Sequence, residues 1–164
     1  MRVRIFLFTT VIFGLCFPSC QNPSKKGSEK QTIEPANQNS NTMKSHVSIF
    51  EIPANEISRA IEFYQAILAI DIEKIDMPDM QMGIWPYEEQ MVTGVIIKAE
   101  GYKPSAEGVT IYLNGGDNLQ VILDRVEKNG GKILVPKSLH ADESGFFAQF
   151  LDSEGNKMGL HSLE

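Results

Sequence analysis

Cysteine is nearly absent from this 164-residue chain: there are two, Cys16 and Cys20, and both fall in the first twenty residues. Residues 45–164 therefore have no disulfide, no thiol nucleophile and no thiolate metal ligand. Histidine is scarce too, with only His46, His140 and His161. Basic residues are few after residue 44, nine against nineteen acidic ones, a formal net charge of −10. A fold with that balance and no basic stripe is not a nucleic-acid binder. Gly115-Gly116 and Gly130-Gly131 sit at helix boundaries, so no glycine loop is left to cradle phosphate. Neither a dinucleotide fingerprint nor a nucleophile-elbow serine occurs. Only one long apolar run exists, and it lies at the very start.

That run, Ile5–Pro18, follows the short positive stretch Met1-Arg-Val-Arg4 and is too short to be a good membrane span. Its layout is that of a secretory signal. Ser19-Cys20 ends it with a small residue before cysteine, which resembles the lipobox of bacterial lipoproteins, although Phe17 and Pro18 replace the usual aliphatic and small residues. The expectation is a signal peptide over residues 1–20, lipidation of Cys20, and export to the bacterial cell envelope with membrane attachment through the lipid. Bulky Leu15 makes Cys16 the poorer candidate. Gln21–Lys44 is rich in Asn, Gln, Ser, Lys and Pro, and Ile33 and Met43 are its only large apolar residues. Such a segment buries too little to offset the entropy of ordering, so residues 21–44 read as a disordered tether. Residues 45–164 then form one domain of ordinary size.

Within that domain a single order of elements occurs twice. His46–Ile52 reads as a strand ended by Pro53, with Asn55-Glu56 placed to cap a helix. Ile57, Ala60, Ile61, Tyr64, Ile67 and Leu68 recur at helical spacing. Three short strands follow over Ile70–Ile75, Met80–Trp85 and Thr93–Ala99. The second half runs Gly108–Leu113 as strand, Asp117 as cap, Leu119, Ile122, Leu123 and Val126 as helical stripe, and Asn129-Gly130-Gly131 as stop. Lys132–Val135, Gly145–Leu151 and Lys157–His161 complete it, the last two joined by the turn Asp152-Ser-Glu-Gly155-Asn. The fold class is α+β: two βαβββ modules, offset by about sixty residues, whose sheets curve around a shared cleft.

Four segments carry a resemblance: Phe50-Glu-Ile-Pro53, Arg59-Ala-Ile-Glu-Phe-Tyr64, Gly130-Gly131-Lys132 and Asp152-Ser-Glu-Gly-Asn156. In order and spacing, over Val47–His161, they resemble the glyoxalase/bleomycin resistance/dioxygenase superfamily, the vicinal oxygen chelate (VOC) proteins. The resemblance implies a cup-shaped mixed sheet whose concave side holds a divalent metal and a substrate. It also implies where His, Glu or Gln ligands would stand. The first-strand position falls on Ile49 and the last-strand position on Gly159. The other two fall within Gly94–Ile97 and around Thr110-Ile111, which contain no His, Asp or Glu. A divalent ion needs several convergent N or O ligands, so the usual metal is not expected and no cofactor is.

By strand alternation Glu51 shares a face with Ile49, and His161 with Gly159. Glu51 and His161 are therefore the candidates for a rebuilt site, either an acid–base pair or two metal ligands. The plainer reading leaves Glu51 solvated at a rim and His161 idle near the chain end. Ile49, Glu51, Trp85, Tyr112, Gly159 and His161 are the candidate ligand-pocket residues; Phe147 could join as an aromatic wall, and Met77, Met80, Met82 and Met91 could soften the cup mouth. His46 reads as an exposed strand end; His140, beside Asp142 and Glu143, could bind a metal weakly, although the spacing matches no ligand pattern and a solvated loop over Lys137–Ser144 is the plainer reading.

The leading expectation is metal-free binding of a small molecule in the cup. Two others stand beside it: a glyoxalase-like lyase, isomerase or dioxygenase with a rebuilt site, in which case a divalent metal would return, and a surface interaction module. A homodimer is expected from the resemblance, whose members often pair modules between chains.

Overall fold

The structure is a computed structural model, and it describes residues 45–164. The expected signal peptide, Cys20 and tether lie outside the described residues. The elements run β1 (Ile49–Pro53), α1 (Ile57–Leu68), β2 (Glu73–Met77), β3 (Met80–Ile84) and β4 (Thr93–Ala99). The second module runs β5 (Ile111–Asn114), α2 (Gln120–Val126) with a 3-10 turn over Glu127–Asn129, β6 (Lys132–Leu139), β7 (Phe146–Leu151) and β8 (Lys157–Ser162). This is βαβββ twice.

Each module folds into a four-stranded mixed sheet, in the orders β1-β4-β3-β2 and β5-β8-β7-β6. The first and last strands of a module pair in parallel, with Phe50 beside Gly94 in one and Leu113 beside Leu160 in the other. The remaining pairs are antiparallel. The helix supplies the crossover that a parallel pair requires.

One core serves both modules. Phe63, Tyr64 and Ile67 of α1 meet Leu119, Leu123 and Val126 near or on α2, between Ile52 and Ile96 of the first sheet and Ala148, Phe150 and Leu160 of the second. Phe63 bridges them, 5.1 Å from Tyr64 and 6.2 Å from Phe150 between ring centres. Burial of each such side chain stabilises the fold by about 1.5–3 kcal/mol.

Three local expectations are corrected. β2 lies at Glu73–Met77 rather than Ile70–Ile75, because Ile72 is drawn into the core and its N–H donates to the Gln65 side chain at 2.9 Å. β6 continues past Val135 to Leu139; it is an edge strand, and register shifts on both sides of Val135 accommodate Pro136. Neither helix is capped as expected. Glu56 holds the N-cap position of α1 without a side-chain cap hydrogen bond; the amides of Asn55 and Glu56 donate instead to Glu154 Oε2 at 2.9 and 3.0 Å. At α2, Ser162 Oγ accepts from the Leu119 amide and Asn118 Oδ1 from that of Gln120, and Asp117 plays no such part.

The turn Asp152–Asn156 ties the modules together. Gly155 takes φ +95°, as a tight turn there requires. Buried Asp152 accepts from Tyr64 Oη at 2.8 Å and from the Asn156 side-chain amide at 2.8 Å. Asn156 also donates to the Pro53 carbonyl at 2.8 Å. Burial, then Asp152, holds the Tyr64 phenol well above its ordinary pKa, so it stays a donor. Among the described residues no helix is long and apolar enough to cross a membrane.

Candidate functional site

Each sheet has one face on the core and one turned away, and alternation decides which residues occupy the second. In the first sheet, Ile52 and Ile96 point to the core. Ile49 and Glu51 therefore point away, beside Thr93 and Val95, and the register carries that face on to Ile97, Met82 and Ile84. Of these residues only Glu51 and Thr93 are polar. Ile49 is 58% exposed at its edge. The Glu51 carboxylate is engaged: Tyr102, from the segment between the modules, donates its hydroxyl to Oε2 at 2.7 Å. That hydrogen bond, with lesser burial and charge effects from the same pair, raises the Tyr102 pKa.

The second sheet is built alike. Leu113, Ala148, Phe150, Met158 and Leu160 face the core. Tyr112, Phe147, Gln149, Gly159 and His161 face away, in the register Tyr112–Gly159–Gln149 and Asn114–His161–Phe147. A side-chain carbon added at Gly159 would stand 2.6 and 2.7 Å from Cε1 and Cγ of Tyr112. The tyrosine ring thus fills the space that a side chain at residue 159 would need. Its hydroxyl accepts from Gln149 Nε2 at 2.6 Å, which fixes the ring over the sheet. Tyr112 is still 43% exposed.

Several expected site residues fall elsewhere or apart. Trp85 is not on the outward face. It packs against Phe50 and Tyr64 at 5.4 and 5.3 Å between ring centres, on the core side, where Gly94 leaves it room. Its indole N–H is buried without a partner among the described residues. Glu51 and His161 belong to different sheets and have different neighbours, Tyr102 for one and His140 with Phe147 for the other. No acid–base pair is formed between them. His46 is exposed.

His140, read from the sequence as part of a solvated loop, is placed differently by the structure. It is half-buried rather than solvated, with its ring 4.7 Å from that of Phe147 and 5.4 Å from that of His161. The signal was indirect: a strand longer by four residues ends beside the start of β7, with Leu139 opposite Phe146.

The strand positions that would hold a metal in a VOC protein do not fit one here. Ile49 offers a hydrocarbon, Gly159 nothing but a covered Cα, and Gly94 and Ile96 face the core. Among the described residues no three or more His, Cys, Asp or Glu side chains converge. What the outward faces offer is apolar and aromatic surface with a few fixed polar atoms.

No family model matches the sequence, and no curated protein does. Solved structures do match. A glyoxalase/bleomycin resistance protein from Albidiferax ferrireducens T118 aligns with a TM-score of 0.56 and 15% identity, over 72% of this chain and 98% of that one. TnmS3, an antibiotic binding protein from Streptomyces sp. CB03234, aligns with a TM-score of 0.57 and 18% identity, over 72% and 95%. A mutant glyoxalase I from Zea mays gives a TM-score of 0.53 and 17% identity, over 71% of this chain. This chain spans only 45% of the maize enzyme.

Proposed function

We propose that this chain, whose fold is that of the glyoxalase/bleomycin resistance/dioxygenase proteins, is an exported, lipid-anchored protein that binds an apolar or aromatic small molecule without the four-ligand metal centre. One observation carries the reading: Tyr112 lies over Gly159 where a metal ligand would project, and the equivalent place on β1 is Ile49. Aromatic and aliphatic groups thus stand at these two positions in place of charged donors. Flat apolar ligands gain from such walls, and Gln149 with the Tyr112 hydroxyl supplies a polar fixing point. The likeness to an antibiotic binding protein supports a binding role.

A second copy of the chain is the proposed partner. Both outward faces keep large apolar side chains in solvent, Ile49 and Tyr112 among them, and a homodimer would cover them. Nucleic acid is excluded from the proposal by the charge of the domain. The test is equilibrium titration of the protein with a neutral aromatic fluorophore, before and after chelator treatment. Saturable binding at one stoichiometry, unchanged by chelator and weakened tenfold or more by Tyr112→Ala, is the expected result. Non-saturating uptake by wild type and variant alike would reject the reading.

A further inference from the structure

His140 closes the β6–β7 hairpin. Its amide donates to the Gly145 carbonyl at 2.9 Å, and its own carbonyl accepts from the Glu143 amide at 2.9 Å. Its ring lies against Phe147, which stands opposite His161 in the β7–β8 register. The two imidazoles are 5.4 Å apart between centres and inclined at 47°, so they are not stacked on each other. His161 Nε2 lies near the hairpin end: a carbon added at Gly145 would stand 3.1 Å from it.

This spacing matches a shared ion. A metal–nitrogen bond of about 2.0–2.1 Å puts the ion about 3.2 Å from each ring centre, so two imidazoles on one tetrahedral ion stand about 5 Å apart, and about 6 Å as the angle opens. We propose that His140 and His161 form a two-imidazole seat for a divalent transition ion, with the remaining coordination positions left to water. Imidazole pairs favour zinc, nickel and copper over calcium or magnesium, which demand oxygen. The seat is distinct from the strand positions of Ile49 and Gly159, and it does not rest on the small-molecule reading, since either can fail alone.

The test uses the full chain in detergent, with Cys16→Ser and Cys20→Ser to remove competing thiolates, titrated with zinc against a chelating dye. One zinc per chain is expected. His140→Ala and His161→Ala should each weaken it tenfold or more, and the double variant should abolish it. His46→Ala and Glu51→Ala should change nothing. Thermal melts of the metal-free variants check that they fold, and zinc-induced shifts of the His140 and His161 imidazole resonances in the wild-type fold report the ligands without mutation. Absence of binding to the wild-type histidines, equal affinity in the double variant, or resonance shifts at His46 instead would each overturn the proposal.

Discussion

The ring of Tyr112 covers the Cα of Gly159, with ring carbons 2.6 and 2.7 Å from where a Cβ would stand. Gly159→Ala must therefore displace the ring and break its hydrogen bond with Gln149. Because Tyr112 is partly exposed and can swing outward, the stability cost should sit near the low end of overpacking, about 1 kcal/mol. Binding should suffer more than stability. The expected outcome is a small fall in the urea midpoint with a tenfold or larger loss of fluorophore affinity; equal affinities would show that the ring is not part of the site.

Tyr64 and Asp152 form the buried bond on which both modules converge. Tyr64→Phe removes the donor and leaves a buried carboxylate oxygen one partner short. The expected destabilisation is about 1–3 kcal/mol. A melting temperature lower by roughly 4–8 °C would record it.

Glu154 should make stability acid-sensitive. Its side chain is buried, and although burial alone would raise its pKa, the Arg59 guanidinium at 2.7 Å and the amides of Glu56 and Asn55 outweigh that and lower it. A carboxyl with a lowered folded pKa stabilises the fold above its ordinary value of about 4.3, and that contribution is lost as pH falls through the lowered value. Glu154→Gln should therefore unfold more easily at pH 7 and differ less from wild type near pH 3, as read by urea midpoints at the two values.

Cys20 is the proposed attachment point. Cys20→Ser should abolish incorporation of labelled fatty acid and release the protein from the membrane fraction. Unchanged labelling would assign the anchor elsewhere.

Periodicity and turn chemistry made the frame legible. α1 and β4 lie over the residues that the helical stripe and the strand run indicate, and Gly155 marks its turn with a positive φ. What was not legible depends on residues far apart in sequence. Glu154 caps a helix that starts almost a hundred residues earlier, and no local pattern encodes that. Trp85 shares strand parity with Gly83, whose Cα abuts Ile61, so its inward direction followed from a packing partner rather than from its own neighbours. Glu51 was read either as half of a rebuilt site or as solvated at a rim, but Tyr102 in the inter-module segment occupies it. His140 was hidden because β6 runs through a proline that normally ends a strand; only an edge strand with shifted register tolerates it.

The most direct test of the central claim is a binding isotherm for a neutral aromatic ligand measured with and without a strong chelator. Saturable binding with one affinity in both conditions is the outcome this account requires. Binding that vanishes with chelator and returns with zinc or nickel would contradict it, placing a metal at the centre of the site.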